Sequence, residues 1–218
     1  DVRLEADLVI AEAGAHWSKF VDFCIQNNLA GVEMLAGIPG TVGGAVVMNA
    51  GARGGETADY LVEVEIFRDG QFQTVKKADA RFAYRRSGFE KDIVLSASFR
   101  LLPGDRDELI ARRREHILKR NTTQPLTLPN SGSMFKNPPG MFAAKLIEQA
   151  GLKGKRVGNA QISEKHANFI VNLGDAKASD VVTLIDLARR TVHQNTGVLL
   201  ELEVKLVGFP NEIRQKVA

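Results

Sequence analysis

One stretch of the sequence presents backbone where other stretches present side chains: Gly37-Ile38-Pro39-Gly40-Thr41-Val42-Gly43-Gly44-Ala45-Val46-Val47-Met48-Asn49-Ala50-Gly51-Ala52. Glycine tolerates positive φ and lets a ligand approach the main chain, and N–H groups exposed in successive turns form a concave site for an anion such as a diphosphate. The stretch fits neither a Walker A loop nor the G-x-G-x-x-G dinucleotide fingerprint. A tight connection that needs small residues for packing is the alternative.

The composition is that of an ordinary globular protein. The chain has 218 residues, of which 44% are apolar and 25% charged, enough to bury one large core or two modest ones. The net charge of +3 comes from 29 basic and 26 acidic residues, mostly interspersed, so no nucleic-acid partner is predicted. A single cysteine, Cys24, excludes an internal disulfide and fits a reducing compartment. Without a long apolar segment or a secretory signal, we expect a cytoplasmic protein with no membrane partner.

Hydrophobic periodicity predicts a mixture of helices and strands. Asp69-Gly70 lies between two alternating runs and is a strong signal for a two-residue hairpin turn. In the last predicted strand, Glu201 and Glu203 share the face opposite the apolar residues. The predicted strands cover 7–11, 61–67, 71–75, 93–102 and 198–207, and the predicted helices cover 17–27, 105–120, 141–150 and 179–197. Gly151 and Gly197 are the predicted stop signals of the last two helices.

Two breaks divide the chain. Pro103-Gly104 ends the strand-rich part, and a proline-marked stretch at 124–130 follows a charged helix. We expect a first domain at residues 1–106, a second at 107–208 and a tail at 209–218.

A second candidate site is Ser131-Gly132-Ser133-Met134-Phe135-Lys136-Asn137-Pro138, where a hydroxyl, an ammonium group and a carboxamide follow a glycine turn. Such a cluster can bind an anionic ligand. The alternative is a helix-entry loop in which Ser133 or Asn137 caps backbone donors. A serine hydrolase is disfavoured because the second glycine of a nucleophile elbow is missing.

Together these motifs resemble the UDP-N-acetylenolpyruvoylglucosamine reductase family. The glycine stretch is shared with other flavin oxidases of the vanillyl-alcohol-oxidase class, and the blocks around Ser133 and Glu203 distinguish the reductases. The resemblance runs from about Asp1 to Gly208 but lacks the family's amino-terminal part, so it implies only part of a flavin site. The blocks stand in the family's order: Gly37–Gly44 with Asn49–Ala52, Tyr84-Arg85 with Ser87, Gly132–Pro138, Ser163–Phe169 and Leu200–Val204.

The resemblance implies an α+β fold of two domains. The first is the remnant of a vanillyl-alcohol-oxidase-type FAD-binding domain, and the second is a smaller α+β substrate-binding domain, with active-site residues drawn from both. It also implies FAD as cofactor, NADPH as hydride donor, and UDP-N-acetylglucosamine enolpyruvate as the substrate, reduced to UDP-N-acetylmuramate for peptidoglycan precursor synthesis. We expect an enzyme that is a monomer without a metal site; this chain is expected to hold FAD only weakly when alone, and its activity alone stays open.

The family's functional residues map onto this sequence by motif. Arg85 would stabilise negative charge at the substrate carboxylate, Ser133 would donate a proton to the substrate carbon, and Glu203 matches the active-site glutamate. Without the resemblance, Arg85 would be assigned to a surface ion pair, Glu203 to an exposed strand face, and Tyr84 and His166 to structural roles. FAD is expected at Gly40, Thr41, Val42, Gly43, Gly44, Asn49, Gly51 and Ala52, and substrate at Tyr84, Gln124, Lys136, Asn137 and His166.

Two other functions remain open at this stage. Another FAD-linked oxidase of the same superfamily would share the glycine stretch but would be indifferent to a UDP-sugar. A non-catalytic module that binds a nucleotide sugar would carry no flavin.

Overall fold

An antiparallel sheet is the framework of the amino-terminal unit, Asp1–Arg120, in the computed structural model. The structure describes residues 1–52 and 55–217, apart from the side chain of Lys216. The elements of this unit are β1 (Val2–Glu5), β2 (Leu8–Glu12), α1 (Trp17–Gln26), β3 (Leu29–Ala30), α2 (Val42–Val47), β4 (Gly51–Ala52), β5 (Gly55–Glu56), α3 (Thr57–Tyr60), β6 (Leu61–Arg68), β7 (Gln71–Lys76), β8 (Ile93–Phe99), β9 (Leu102–Pro103) and most of α4 (Arg106–Thr123).

The five-stranded sheet has the order β1-β2-β8-β6-β7, and every neighbouring pair is antiparallel. The predicted hairpin at Asp69-Gly70 is confirmed, since it joins β6 to β7 with φ of 51° and 79°. These left-handed conformations match the twist of the two strands. Phe67 and Phe72 face each other across the hairpin with ring centroids 5.2 Å apart.

Helices α1 and α2 supply apolar side chains to the core that also contains the inner face of the sheet. The Phe20 ring lies between those of Trp17 and Phe99, at centroid distances of 5.0 and 4.6 Å. The indole N–H of Trp17 donates to the Leu35 carbonyl, so the largest side chain of this core has no unpaired polar atom. Cys24 is buried here, as its place on the apolar face of α1 predicts, and burial raises the pKa of its thiol.

Helix α4 packs its first turns onto the amino-terminal unit. Leu109 is fully buried in that core, Arg112 pairs at 3.1 Å with the buried carboxylate of Glu33, and Arg113 pairs with Asp22. The two units divide between Arg120 and Asn121, after most of the helix, whereas the sequence predicts a boundary before the helix, between residues 106 and 107.

The carboxy-terminal unit, Asn121–Ala218, contains β10 (Asn130–Ser133), α5 (Ala143–Gln149), β11 (Arg156–Val157), β12 (Ala160–Ile162), β13 (Phe169–Asn172), α6 (Ala178–Thr196) and α7 (Asn211–Val217). Its four-stranded sheet has the order β10-β13-β12-β11. The predicted glycine stop signals are confirmed at Gly151 and Gly197, which adopt φ of 71° and 73°. The buried face of α6 includes Leu184, Ile185 and Val192.

The predicted last strand at 198–207 is wrong. Only a single bridge, between Leu202 and Phe135, occurs in this segment. The alternation of apolar residues reflects packing, because Leu200 is fully buried and Leu202 lies against the same core. The predicted tail carries α7, whose Val217 is buried in this unit, while Ala218 lies outside the described residues.

Two adjacent glycines of α2, Gly43 and Gly44, give a test of how α2 packs against Ala13 in the amino-terminal unit. A Cβ at Gly43 would lie 2.8 Å from Ala13 Cβ and 3.2 Å from the Ala13 carbonyl oxygen, whereas one at Gly44 would meet only Thr41 Oγ1, at 3.7 Å. Gly43→Ala is expected to lower the free energy of unfolding by about 1–3 kcal/mol through overpacking. Gly44→Ala should be neutral or stabilise by up to about 1 kcal/mol. Urea denaturation without flavin measures both, and equal effects would contradict the packing described.

Candidate active site

The start of the glycine stretch is anchored to the segment that follows β2. The amides of Val42 and Gly43 donate to the carbonyls of Ala15 and Ala13, both at 2.9 Å, and Trp17 N donates to the Gly40 carbonyl at 3.0 Å. The Val42 and Gly43 amides are therefore used within the protein, and these two residues fix where the stretch lies.

The backbone at Gly40 and Thr41 is left open. Gly40 has a φ of 121° and no heavy atom within 4 Å of an ideal Cβ, and its amide and that of Thr41 meet no hydrogen-bond acceptor in the described ranges. Gly44 is exposed, and its amide makes only a long bond of 3.4 Å to Thr41 Oγ1. Bare main chain with unused donors suits the close approach of an anionic or flat ligand.

The end of the glycine stretch is tied down by side chains. Asn49 is fully buried with a φ of 43°; its carboxamide accepts from Ala58 N at 3.0 Å and donates to the Ala83 carbonyl at 3.1 Å. Asn49 therefore shapes the loop through contacts within the protein. Sequence reasoning missed Thr57, whose amide and hydroxyl both donate to the Ala50 carbonyl, at 2.9 and 2.8 Å, because no motif marks it.

Tyr84 and Arg85 form a two-residue turn beside the end of the glycine stretch. Ala83 and Arg86 exchange two hydrogen bonds of 3.1 Å around the turn, which leaves Arg85 with a φ of 55°. Left-handed backbone in a residue with a long side chain is strained and is commonly found at functional sites.

The guanidinium of Arg85 lies over the glycine stretch. Its Nη2 donates to the Gly51 carbonyl at 2.8 Å, and the guanidinium carbon is 4.9 Å from the centroid of the half-exposed Tyr84 ring. A Cβ at Gly51 would be 2.9 Å from both Arg85 Nη1 and the Gly55 carbonyl oxygen, and because the carbonyl belongs to the backbone, glycine is needed there. Ser87 donates to the Val47 carbonyl at 2.8 Å and binds this turn to the same stretch. Ala52, the last predicted cofactor residue, pairs with Gly55 in the short β4–β5 ladder.

Ser133 and Glu203 are brought together in the carboxy-terminal unit. Ser133 ends β10, and the carbonyl of the next residue, Met134, accepts the amide of Glu203 at 2.8 Å. Both residues are half-buried. The Ser133 hydroxyl meets no hydrogen-bond partner in the part of the chain that the structure describes, so its proton is available to a ligand.

The other polar residues of the second motif have partners within the protein. Lys136 Nζ pairs with the exposed carboxylate of Glu201 at 2.5 Å, and its amide donates to the Glu201 carbonyl at 2.8 Å. Asn137 Oδ1 accepts from Ala143 N at 3.0 Å at the start of α5, which is the helix-entry role that the sequence left open. Gln124 is half-buried and directly follows α4.

His166 belongs to a tight turn before β13. Ser163 Oγ accepts the amides of Lys165 and His166, at 3.1 and 3.3 Å, and the imidazole packs edge-on against Phe169 with centroids 4.7 Å apart. Burial lowers the pKa of His166, and its Nδ1 atom is buried without a hydrogen-bond partner among the described residues. The imidazole is therefore neutral near pH 7.

Residues 1–52 and 55–217 contain neither a cluster of metal-ligating side chains nor a membrane-spanning helix. Within these ranges, His, Cys, Asp and Glu side chains form no group of three or more that could hold a metal ion. No helix there combines the length and apolar character required to cross a bilayer.

Comparison with protein families gives two matches along the chain. Residues 1–76 match the family described as FAD binding domain. Residues 124–207 match UDP-N-acetylenolpyruvoylglucosamine reductase, C-terminal domain. The first match contains the glycine stretch, and the second contains Ser133 and Glu203.

Individual proteins give the same result. The chain is 47% identical to UDP-N-acetylenolpyruvoylglucosamine reductase of Chloroherpeton thalassium, over 98% of this chain and 72% of the relative. It is 44% identical to the protein of the same name from Geobacillus kaustophilus, over 94% and 68%. The crystal structure of UDP-N-acetylenolpyruvylglucosamine reductase from Thermus caldophilus is similar with a TM-score of 0.81 and 42% identity, covering 90% of this chain and 71% of that one.

The environment of His166 predicts a pH dependence of stability. Its folded-state pKa lies below the ordinary 6.5, so the unfolded chain binds more protons between the two values. Stability is therefore retained above pH 6.5 and falls as the pH drops through the folded pKa. NMR titration of the imidazole should give a pKa below 6.5.

His166→Gln should remove this part of the acid sensitivity in urea denaturation series recorded at several pH values, since glutamine does not titrate. An imidazole pKa at or above 6.5, or an unchanged pH dependence in the variant, would contradict the described environment.

Proposed function

The chain belongs to the UDP-N-acetylenolpyruvoylglucosamine reductase family, and on that premise we propose that it uses NADPH to reduce UDP-N-acetylglucosamine enolpyruvate to UDP-N-acetylmuramate. FAD is its cofactor. The observation that carries the proposal is the pairing of Ser133 and Glu203 through Met134 in the region matched by the family's carboxy-terminal domain. The product is a precursor of peptidoglycan, so we assign the enzyme to that pathway.

The amino-terminal unit fits a flavin cofactor. We assign the open amides of Gly40 and Thr41 to the FAD diphosphate and the bare backbone at Gly44 to close contact with the cofactor. Val42 and Gly43 act by holding this strip in place, and Asn49, Gly51 and Ala52 act by shaping the end of the stretch. FAD held there would supply the hydride chemistry, from NADPH to the terminal carbon of the enolpyruvyl group.

Arg85 stabilises the negative charge that this hydride transfer creates on the substrate. Hydride addition places negative charge on the adjacent carbon and its carboxylate, and a guanidinium can bind a carboxylate through two parallel hydrogen bonds while remaining charged. The bond from Arg85 to the Gly51 carbonyl and the strained turn hold the guanidinium before substrate arrives.

Ser133 completes the reduction by giving its proton to that adjacent carbon. A hydroxyl is a weak acid at neutral pH, but a stabilised carbanion takes its proton if both are held within hydrogen-bond distance. Net reduction then adds one hydride and one proton, and solvent restores the proton of Ser133. We assign Glu203 to the same reaction centre because its amide bond to Met134 keeps it beside Ser133.

The remaining predicted residues are proposed to bind the nucleotide sugar. Lys136 supplies positive charge, partly balanced by Glu201, and neutral His166 supplies a ring and a hydrogen-bonding nitrogen. Tyr84 offers a half-exposed ring beside Arg85. Gln124 contributes a carboxamide, whereas Asn137 acts chiefly by fixing the start of α5.

We also propose that the enzyme works as a cytoplasmic monomer. The free, buried thiol of Cys24 suits a reducing compartment.

The flavin assignment predicts the behaviour of Gly44→Ala. The added methyl group occupies the bare strip, so the variant should keep its fold and bind FAD about 10-fold or more weakly, which corresponds to about 1.4 kcal/mol. Flavin fluorescence titration of the purified chain measures the affinity. Gly14→Ala is the control, because Gly14 lies outside the stretch and a Cβ there meets no heavy atom within 4 Å, just as a Cβ at Gly44 meets only Thr41 Oγ1 at the ordinary contact distance of 3.7 Å. Equal FAD affinity in the two variants would refute the assignment.

The role of Ser133 as proton donor predicts that its loss affects one half-reaction and leaves the other unchanged. In the FAD-loaded enzyme, Ser133→Ala should leave flavin reduction by NADPH unchanged and slow reoxidation by the enolpyruvyl substrate by about 10²–10⁴-fold. Stopped-flow absorbance of the flavin measures both rates. Ser131→Ala, which removes an exposed hydroxyl from the same strand, is the control and should change neither. Equal losses in both half-reactions for Ser133→Ala would remove it as the proton donor.

A further inference from the structure

Asn168 lies in a turn, outside the strands, and its hydrogen bonds hold the segment that follows Ser133. Its side chain is almost fully buried; Oδ1 accepts from Phe135 N at 3.0 Å and Nδ2 donates to the Phe135 carbonyl at 2.8 Å. The main-chain carbonyl of Asn168 also accepts from Met134 N at 2.9 Å. One residue therefore satisfies three of the four main-chain groups of Met134 and Phe135.

The opposite edge of this segment is bonded to the residues around Glu203. Met134 O accepts from Glu203 N, and Lys136 N donates to the Glu201 carbonyl, both at 2.8 Å, with Phe135 opposite Leu202. Residues 134–136 thus lie between Asn168 on one side and the Glu203 segment on the other. Any shift of Phe135 would move Ser133 relative to Glu203.

A carboxamide is needed because the β10–β13 ladder has ended before Phe135. The β10–β13 ladder has an irregular register between Asn130 and Ser133 and ends at the Ser133–Phe169 pair. Beyond it, Phe135 is buried, and a buried main-chain N–H and C=O must both be bonded. Asparagine offers one donor and one acceptor on the same rigid group, whereas aspartate offers acceptors only.

We propose that Asn168 is a positioning residue for the protonation step and that it fixes the distance between Ser133 and Glu203. The proposal rests on the proposed function and adds to it a residue that does not contact substrate. A displacement of about 1 Å at a reacting group lowers a rate by about 100-fold, so a small relaxation of Phe135 is sufficient.

The test compares Asn168, which directly precedes β13, with Asn172, the last residue of β13. Asn168→Asp removes the donor to the Phe135 carbonyl. Asn172→Asp keeps its bonds, because toward the described residues the Asn172 side chain uses only Oδ1, as acceptor from Gly174 N and Ala176 N. Both changes add a carboxylate, so they are matched in charge. Stopped-flow rates of flavin reduction by NADPH and of reoxidation by enolpyruvyl substrate are measured in the FAD-loaded enzyme.

We expect Asn168→Asp to slow reoxidation by about 10- to 100-fold and to leave reduction within about 3-fold of the parent. Asn172→Asp should change neither rate by more than about 3-fold. A parallel loss of both rates in Asn168→Asp, or no loss of reoxidation, would overturn the proposal. If the aspartate variant is unfolded at the assay temperature, Asn168→Ser carries the same expectation with a smaller neutral side chain.

A double-mutant cycle separates positioning from general destabilisation. If Asn168 acts through Ser133, Asn168→Asp should slow reoxidation by less than about 3-fold in the Ser133→Ala background. The full 10- to 100-fold loss in that background would show an effect independent of Ser133 and refute the proposal. Failure of the parent enzyme to be reoxidised by the enolpyruvyl substrate would refute the proposed function instead, whatever the Asn168 variants do.

Discussion

Buried main-chain groups require hydrogen-bond partners, and at each candidate site of this protein one asparagine carboxamide supplies them. Asn49 bonds Ala58 N and the Ala83 carbonyl beside the glycine stretch, and Asn168 bonds both main-chain groups of Phe135 beside Ser133. Both side chains are almost fully buried. Because a carboxamide has one donor end and one acceptor end, it can replace a missing strand neighbour where the chain must leave a regular sheet.

Hydrogen bonding within the protein divides the polar groups of each candidate site into two sets. One set holds the structure, and the other is left to bind ligands. Along the glycine stretch, the Val42 and Gly43 amides are used internally, whereas Gly40 and Thr41 have amides that no acceptor reaches within the described ranges. In the second motif, Asn137 binds the start of α5, while the Ser133 hydroxyl remains available. Donors in a site stay unpaired only where the neighbouring polar groups already have hydrogen-bond partners. A loop without such bonds would turn its own carbonyl groups toward those donors.

The sequence predicted the local structure better than the tertiary contacts. The Asp69-Gly70 turn and the glycine stops at Gly151 and Gly197 depend on backbone conformations that few residues adopt, so composition reveals them. The alternation of apolar residues after Gly197 wrongly predicts a strand. Alternate residues that pack on one core show the same period of two as residues of a hydrogen-bonded strand. Asn168 could not be identified from pattern, since its partner is 33 residues away and no local signal links the two.

Arg85 shows how local strain serves the proposed chemistry. A left-handed arginine costs about 1–3 kcal/mol, and a glycine at that position would remove the cost together with the guanidinium. The strain is maintained by the two hydrogen bonds between Ala83 and Arg86 and by the bond to Gly51, which fix the turn independently of any ligand. The cation therefore does not have to be ordered when negative charge develops, and a preorganised charge stabilises that charge more than a mobile one.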